Sequence, residues 1–362
     1  MRILYFIDTM QFGGAAKKTA MIANELSRKG HEVIIVTDIN LDVGFALDES
    51  IRLLPLYEEN KQGNRAMKML RKLRRVRSLV KSNSPDIVVS VLPHVSFYVK
   101  IALTGMRVPV VFSDETSFAR NDSMFVHFIR HRFYNVADAV VVLTENDIKL
   151  LGTNIPKKVA IHNPVACPDF NQDYAVKEKI ILAIGALKEW DIKGFDLLFQ
   201  AFQPLAESFP DWKIVIAGDA KEPYMTKVQA MINHLNLDGR VELLGYQSDI
   251  FSIMAKTSIY ALSSRIEGFS LSLVEALSQG CACVAFENYG VINEVTCGGK
   301  GVLVVKDGDV NGFSNQLRLL MESLKERKRL AEDGKPVVSA YSMDKIVTQW
   351  EDLFFRLCGA TC

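Results

Sequence analysis

The feature that most constrains the fold is a repeated alternation of short apolar runs with longer segments of helical periodicity. In the first half of the chain, the predicted strands are residues 3–7, 32–37, 87–91, 108–113 and 139–143. In the second half they are residues 180–184, 213–217, 241–244, 258–262, 282–286 and 301–305. Strands that alternate with helices form βαβ units and parallel sheets. The sequence therefore predicts an α/β protein built from two doubly wound, Rossmann-like parallel-sheet domains with a cleft between them.

The two halves are separated by a segment in which this regular pattern stops. Pro156, Pro164 and Pro168 accumulate within residues 155–170, which is typical of a linker. A chain of 362 residues also exceeds the usual size of one compact core. We therefore predict one domain over residues 1–166 and a second over residues 167–342. The helical C-terminal segment, residues 343–362, is expected to pack back on the first domain.

Composition excludes several classes of protein. The 43 basic and 42 acidic residues nearly cancel, which argues against a protein dedicated to nucleic acid. No apolar run approaches the roughly 20 residues of a membrane-spanning helix. The first apolar run ends at Asp8, too early for a secretory signal, and the six cysteines show no paired spacing. We expect a cytoplasmic protein with reduced thiols and no nucleic-acid partner.

Two carboxylates separated by seven residues, Glu267 and Glu275, form the most informative motif. Ser270 is a candidate N-cap for a helix that begins between them and continues to Gly280. The unpaired amides and partial positive charge at a helix start favour a phosphate. A carboxylate on each side can accept hydrogen bonds from sugar hydroxyls. Two ordinary surface acids would give the same spacing, so the motif alone leaves both interpretations open.

Three further loops follow predicted strands, at the edge of the sheet where doubly wound domains bind ligands. Gly13 and Gly14 precede the first helix, Lys193 and Gly194 precede a helix in the second half, and Gly218 follows the strand 213–217. Glycines permit a close backbone approach, and a lysine can neutralise a diphosphate. The alternatives are tight turns and a solvated surface lysine.

The order and spacing of these segments resemble the retaining glycosyltransferases of the GT-B fold, specifically the E-x7-E group (glycosyl transferases group 1) of the bacterial surface-polysaccharide type. The resemblance covers nearly the whole chain. The matching segments are Gly13-Gly14, Lys193-Gly194-Phe195-Asp196, Ala217-Gly218-Asp219, residues 241–246 and residues 267–280. The resemblance implies transfer of a hexose or N-acetylhexosamine from a nucleotide diphosphate sugar, with retention of configuration. It implies no metal and no cofactor, because the nucleotide sugar is a co-substrate.

The resemblance also implies roles for individual residues. Glu267 and Lys193 would be catalytic, with Glu267 on the donor sugar and Lys193 neutralising the diphosphate as it leaves. Glu275 would hold the ribose of the nucleotide. The other expected donor-binding residues are Gly13, Gly14, Lys188, Gly218, Gly245, Tyr246, Phe269, Ser270 and Leu271.

The chain departs from the family pattern at two positions. An arginine is usual where this chain has Ala186, and Lys188 is the candidate replacement. Many relatives carry a histidine after the strand predicted here at residues 108–113, where this chain has Asp114 and Glu115. Either carboxylate is a candidate for contact with the sugar or the acceptor, and we take Glu115 as the catalytic candidate and Asp114 as an acceptor-side one. His94, at another strand end, is a further acceptor-side candidate, with a structural histidine as the alternative.

A basic amphipathic segment spans residues 61–81. It contains nine basic residues and no acidic one, with apolar residues at helical spacing. Anionic lipid headgroups attract such a helix by about 1 kcal/mol per basic residue near the surface. Together with residues 125–134, it predicts a face that docks on the inner side of the cell membrane, where a lipid-linked saccharide acceptor would lie. A helix with a solvated basic side is the alternative.

Four other functions are compatible with parts of the pattern. A non-enzymatic protein that closes around a sugar or nucleotide would share the two domains and the linker. An epimerase or a phosphorylase could share the fold, and a mannosyltransferase that uses GDP-mannose would share the motifs. The combined motifs favour a transferase, and their context favours a UDP-sugar as the donor.

Overall fold

The computed structural model describes residues 1–11, 13–57, 64–119, 123–152, 154–155, 157–165 and 177–359. The chain divides into two compact units, Met1–Pro164 with Met343–Cys362, and Val165–Ser342. The division falls inside the proline-containing segment, two residues before the predicted boundary. Pro156, Pro168 and residues 166–176 lie outside the described residues, as do Cys167 and Cys362.

The described strands form two parallel sheets. Those of the first unit are β1 (Arg2–Phe6), β2 (Glu32–Thr37), β3 (Arg52–Pro55), β4 (Ile87–Val91), β5 (Val110–Ser113), β6 (Ala139–Val142) and β7 (Lys158–Ala160). Those of the second unit are β8 (Glu178–Ile184), β9 (Lys213–Ala217), β10 (Val241–Gly245), β11 (Thr257–Leu262), β12 (Ala282–Phe286) and β13 (Val302–Val305). The predicted α/β class with two doubly wound domains is confirmed.

The α-helices cover the sheets. In chain order they are α1 (Gly14–Arg28), α2 (Arg65–Asn83), α3 (Pro93–Ala102), α4 (Met124–Phe128), α5 (Glu145–Leu150), α6 (Trp190–Lys193), α7 (Phe195–Phe202), α8 (Tyr224–His234), α9 (Ile250–Lys256), α10 (Leu271–Ser278), α11 (Val291–Val295), α12 (Val310–Glu322), α13 (Leu324–Ala340) and α14 (Met343–Cys358). A π-helical turn, Ile129–Phe133, follows α4, and short 3₁₀ turns occupy Tyr134–Val136, Leu187–Glu189, Gln203–Leu205 and Asn288–Gly290.

The two sheets share one topology. Their strand orders are β3-β2-β1-β4-β5-β6-β7 and β10-β9-β8-β11-β12-β13. In each sheet the chain reaches one edge and then returns to the other side of its first strand. The direction of winding therefore reverses between β1 and β4, and again between β8 and β11. Such switch points leave a crevice outside the carboxyl ends of the strands, where ligands of doubly wound domains bind.

Apolar residues on both faces of the central strands build the cores. The strands β4 (IVVSV) and β6 (AVVV) are buried throughout, as expected for parallel strands covered by helices on both sides. In the second unit, Phe195, Phe199 and Phe202 of α7 are fully buried against the sheet. Cys281 and Cys283 are free cysteines that lie buried in the second unit.

The helix α14 belongs to the first unit, where it packs on α1. Its Trp350 is buried, and the Lys18 ammonium lies 5.4 Å from the centre of the indole ring. Glu351 accepts hydrogen bonds from His31 at 2.9 Å and Lys29 at 3.1 Å. These contacts join residues that are more than 300 positions apart in sequence.

Two details of the sequence prediction are wrong. Periodicity predicts one helix over residues 195–209, but α7 ends at Phe202 and a 3₁₀ turn follows. Pro204 explains the end, because its ring removes a backbone donor and clashes with the preceding turn. The strands β3 and β7 were not predicted. No helix among the described residues is long and apolar enough to cross a membrane.

Candidate active site

Two predicted catalytic residues meet at the switch point of the second sheet. Lys193 ends α6, in the segment that follows β8, and Glu267 lies in the loop between β11 and α10. Lys193 Nζ lies 3.0 Å from Glu267 Oε1, and the two side chains are 23% and 10% exposed. The pair is therefore partly open to solvent. In this position the Glu267 carboxylate can leave the ammonium and bind a hydroxyl group of a ligand. The Lys193 ammonium can likewise leave the carboxylate and bind a phosphate.

Arg265 supports this pair from the same loop, although sequence reasoning missed it. Its guanidinium binds both carboxylate oxygens of Asp196, at 2.7 and 2.6 Å. It also donates to the backbone oxygen of Asp191 at 2.6 Å. The hydrogen bond that Arg265 donates to Asp196 raises the pKa of Arg265 above its ordinary value. A bidentate pair of this kind fixes geometry, so Arg265 ties the Glu267 loop to the segment that carries Lys193.

The predicted glycines Gly218 and Gly245 lie at the ends of neighbouring strands, with Gly218 directly after β9 and Gly245 as the last residue of β10. Gly218 donates its backbone N–H to the oxygen of Gly245 at 2.9 Å. A Cβ on Gly218 would lie 2.0 Å from the backbone oxygen of Gly185, which no neighbour could relieve. Gly218 is thus required by close backbone packing at this edge. Tyr246, the residue after Gly245, is 52% exposed.

The start of α10 differs from the prediction. Ser270 occupies the N-cap position, but its backbone is left-handed (φ 58°, ψ 63°) and its side chain does not cap the helix. Capping residues normally have extended backbone, which directs the hydroxyl at the first-turn amides. The Ser270 hydroxyl is buried and has no hydrogen-bond partner among the described residues. The first-turn amides that begin at Leu271 therefore have no side-chain cap.

The remaining predicted donor residues of the second unit differ in exposure. Glu275 lies inside α10 and is 4% exposed, and Phe269 is 2% exposed. The Phe269 ring packs edge-on against Tyr341, with the ring centres 5.0 Å apart. Lys188 lies in the 3₁₀ turn after β8 and is exposed. The roles of these residues in donor binding stay predictions.

In the first unit, Gly13 and Gly14 lie at the start of α1. Gly13 is the N-cap residue and has extended backbone, and no side chain caps this helix. A Cβ on either glycine would meet no other atom within 4 Å. Packing within the described residues therefore does not require glycine here, in contrast to Gly218.

The two carboxylates after β5 are held by buried cations. Asp114 binds Arg130, with Nε 2.8 Å from Oδ2, and their side chains are 0% and 1% exposed. Glu115 binds Lys18 at 2.9 Å, and these side chains are 4% and 3% exposed. A ligand contact by Glu115 or Asp114 would require either carboxylate to give up its buried partner. Their geometry is that of structural ion pairs.

His94 lies in the first turn of α3, after β4, and is held by a residue that sequence reasoning missed. Its Nε2 is 2.7 Å from Oδ2 of Asp8, which follows β1. Burial tends to raise the pKa of Asp8, but hydrogen bonds from His94 and Tyr98 and the Lys72 charge lower it to about 2. Asp8 is thus a carboxylate at neutral pH. The sequence feature that could have identified Asp8 is its position at the end of the first apolar run.

The predicted basic helix is present as α2. Asn64 caps it by accepting a hydrogen bond from the Met67 amide at 3.0 Å, and Lys61 lies outside the described residues. Met67, Met69 and Leu70 are each about half exposed. A cavity of about 640 Å³ opens beside the helix. It is lined by Asp38, Asn40, Leu56, Tyr57, Arg65, Lys68, Met69, Arg71, Lys72 and Arg75.

Further exposed apolar side chains follow in α4. Met124 is 92% exposed, and Phe125 and Phe128 are each 48% exposed. Phe125 packs edge-on against Phe97 of α3, with the ring centres 5.1 Å apart. Arg130, which was predicted to contribute to a basic face here, is instead buried on Asp114.

Comparison with known proteins is consistent with this geometry. Residues 169–337 match the family model described as glycosyl transferases group 1, and residues 13–161 match the glycosyl transferase 4-like domain. An uncharacterized glycosyltransferase of Haemophilus influenzae is 23% identical over 97% of this chain and 99% of its own length.

A functionally described relative and a solved structure add to this. The Campylobacter jejuni enzyme named GalNAc-α-(1→4)-GalNAc-α-(1→3)-diNAcBac-PP-undecaprenol α-1,4-N-acetyl-D-galactosaminyltransferase is 22% identical over 99% of this chain and 100% of its own. The crystal structure of Anabaena HepE in complex with UDP-glucose has a TM-score of 0.79 at 18% identity, covering 98% of this chain and 100% of that one. Two family models that together span most of the chain, full-length relatives and a shared two-sheet fold place this protein among the GT-B glycosyltransferases, in the group that includes surface-polysaccharide enzymes.

Proposed function

We propose that this glycosyltransferase transfers a hexose or N-acetylhexosamine, with retention of configuration, from a UDP-sugar to a hydroxyl of a lipid-linked saccharide. The product would be an intermediate of a cell-surface polysaccharide such as lipopolysaccharide or capsule. The observation that carries the proposal is the partly exposed contact between Lys193 and Glu267 at the switch point of the second sheet. It lies on the loop that leads into α10, a helix whose first-turn amides have no side-chain cap.

Each group at this edge has a role in donor binding. Lys193 and the amides at the start of α10 bind the diphosphate, because a cation and a helix start both favour negative charge. The exposed Lys188 supplies a second positive charge in place of the missing arginine. Glu267 accepts hydrogen bonds from the donor sugar, and Glu275 from the ribose. Tyr246, half exposed beside Gly245, borders the base.

The proposed reaction places most of the developing charge on the leaving group. The bond between the anomeric carbon and the diphosphate oxygen breaks, the acceptor oxygen bonds to the same face of the sugar, and the proton of the acceptor hydroxyl passes to the leaving diphosphate. Negative charge that gathers on the diphosphate is stabilised by Lys193 and the amides, which are already in position. In this scheme, fixed cations and amides carry the role that a metal would have, so the proposal includes no metal or cofactor.

Relatives support the choice of donor and acceptor. The HepE structure contains UDP-glucose, and the name of the Campylobacter enzyme specifies an undecaprenol-diphosphate-linked acceptor. This chain has a cavity in the first unit with five basic side chains and one acidic side chain in its described lining. An anionic, lipid-linked acceptor is complementary to that charge.

The same surface supports peripheral attachment to the inner face of the cell membrane from the cytoplasm. Arg65, Lys68 and Arg74 of α2 are exposed, and half-exposed apolar side chains lie on the same helix. Basic residues are attracted to anionic headgroups while apolar ones enter the headgroup region.

A donor screen tests the reaction. The protein is incubated with UDP-sugars and GDP-mannose, with and without a lipid-diphosphate saccharide, and release of the nucleotide diphosphate is measured. We expect release with a UDP-sugar that is abolished in Glu267→Ala and Lys193→Ala. Lys213→Ala is the matched control, because Lys213 forms an exposed ion pair with Glu242 near the amino ends of the strands. Preference for GDP-mannose would overturn the donor assignment, and tight sugar binding without turnover would identify a binding protein.

Vesicle flotation tests the membrane contact separately. Wild-type protein should float with vesicles that contain anionic lipid and not with neutral vesicles. The triple variant Arg65→Glu, Lys68→Glu, Arg74→Glu should lose this binding. A control with Lys256, Lys300 and Lys325 changed to Glu reverses three exposed charges of the second unit. Equal flotation of the two triple variants would contradict docking through α2.

A further inference from the structure

The switch point of the first sheet also brings together two polar side chains. Asp8 follows β1 and His94 follows β4, and these neighbouring strands flank the point where the winding reverses. In the second sheet, the corresponding point between β8 and β11 holds Lys193 and Glu267. The two sheets thus each place a hydrogen-bonded pair at the position where doubly wound domains bind ligands.

Asp8 is held by three donors. Its Oδ2 lies 2.7 Å from His94 Nε2, and its Oδ1 lies 2.8 Å from the Tyr98 hydroxyl and 3.1 Å from Lys72 Nζ. Tyr98 is 3% exposed and Lys72 also lies 3.6 Å from the centre of its ring. The carboxylate is therefore fixed, and so is the direction from which it meets the imidazole.

This arrangement selects one tautomer of neutral His94. A carboxylate accepts hydrogen bonds only, so the Nε2 that faces it must carry the proton. In the neutral imidazole, Nδ1 is then left as an acceptor. No described residue is hydrogen-bonded to Nδ1, and the His94 side chain is 47% exposed. The same logic operates wherever a buried carboxylate orients a histidine toward a hydroxyl.

We propose that His94 Nδ1 accepts the hydrogen bond of an acceptor-saccharide hydroxyl, and that Asp8 is the positioning residue that fixes the proton of the neutral imidazole on Nε2. The inference rests on the proposed transferase function and assigns its acceptor side to a defined atom. It adds Asp8, with Lys72 and Tyr98, to the residues that the motifs identify.

The surrounding charges favour a neutral hydroxyl over an anion at His94. The Asp8 carboxylate lies next to the imidazole and would repel a phosphate. The basic side chains line the cavity, and Lys72 belongs to both sites because it also contacts Tyr57 at 3.2 Å. An acceptor that is anionic at one end and polyhydroxylated at the other matches this division.

The variant His94→Gln tests the role of Nδ1 separately from that of Nε2. A glutamine amide can still donate to Asp8 as Nε2 does, but it offers nothing in the place of Nδ1. We expect kcat/KM for the acceptor to fall about tenfold, the scale of one lost hydrogen bond. Release of the nucleotide diphosphate without acceptor is measured alongside, and it should fall less than transfer to the acceptor. His31→Gln is the matched control, because His31 Nε2 also meets a carboxylate, that of Glu351, at 2.9 Å.

A second variant tests the positioning role. Asp8→Asn keeps the shape of the side chain but can present an N–H to His94, which would move the proton to Nδ1. We expect a similar fall in kcat/KM for the acceptor, and no further fall in the double variant with His94→Gln. Independent, multiplying effects of the two changes would show that Asp8 does not act through His94.

The tautomer can be measured without any activity. Long-range ¹H–¹⁵N spectra of the full chain at alkaline pH, with His94 assigned from the His94→Gln variant, should show the proton on Nε2. A proton on Nδ1, or full activity of His94→Gln, overturns the inference. If instead the wild-type protein transfers no sugar from any donor, the proposed function fails, and the spectrum still decides the state of His94.

Discussion

At the residue scale, the ion pairs differ in solvent exposure, and this difference decides whether a pair can bind a ligand. Lys193 and Glu267 are partly open, whereas Lys18 with Glu115 and Arg130 with Asp114 are almost fully enclosed. An open pair can exchange partners with a ligand at little cost. A buried pair cannot, because removing one partner leaves an uncompensated charge. We therefore expect the carboxylates after β5 to stabilise the fold, and the pair after β8 and β11 stays the predicted ligand contact.

Glu115→Gln tests this distinction. The change leaves the Lys18 charge buried without its partner, so the free energy of unfolding should fall by about 3–5 kcal/mol. Urea denaturation measures the loss, and Glu267→Gln, at the open pair, should change stability much less. A Glu115→Gln protein that is as stable as wild type and yet inactive would instead support the catalytic role predicted from the motif.

The predicted glycines also divide into two kinds. Gly218→Ala would place a Cβ 2.0 Å from a backbone oxygen, so we expect strong destabilisation in thermal unfolding. Gly13→Ala meets nothing within 4 Å and keeps an accessible backbone conformation, so its stability should match wild type. If Gly13 borders the donor as predicted, its transfer rate should nevertheless fall. Full activity of Gly13→Ala would remove this residue from the site.

Elements differ in how far the sequence determines them. The central strands were predicted because burial on both faces gives continuous apolar runs, as in β4. The strand β3 is only partly buried and contains Pro55, and β7 has three residues within the proline-containing segment. Neither gives such a run. The motif spacing located Glu267 and Lys193, but their contact depends on strand order, which no local pattern encodes.

The start of α10 is a second place where the local sequence pattern does not determine the structure. Serine at an N-cap position predicts a capping hydroxyl, yet the left-handed backbone of Ser270 leaves that hydroxyl buried and unpaired. Ser270→Ala removes no hydrogen bond within the described residues and eliminates an unsatisfied polar group. We therefore expect the free energy of unfolding to stay the same or rise by about 1 kcal/mol.

Ser270→Ala should weaken donor binding even though it does not lower stability. If the Ser270 hydroxyl binds the donor, KM for the nucleotide sugar should rise in Ser270→Ala while stability is kept. Val291→Ala, in another helix start of the same unit, is a comparison in which only packing is lost. A Ser270→Ala protein that is both less stable and unchanged in KM would contradict the interpretation.

At the scale of the whole molecule, the first unit is completed by a distant segment. Trp350 of α14 is 1% exposed and lies against Lys18, while Glu351 binds His31 and Lys29 of the region around α1. A truncation to alanine here should cost about 3–5 kcal/mol. Hydrogen exchange of Trp350→Ala should speed up in residues 1–164 and remain at the wild-type rate in the sheet of the second unit. Equal acceleration in both units would show that α14 does not act on the first unit alone.

The discontinuous first unit has a consequence for synthesis of the chain. Domains generally fold as units while the ribosome makes them, beginning from the amino terminus. Here Val165–Ser342 is complete in sequence before Met343–Cys362 has been made. Until α14 has been made, the α1 surface that receives Trp350 stays uncovered. Residues of the first unit therefore leave the ribosome both before and after the whole of the second unit.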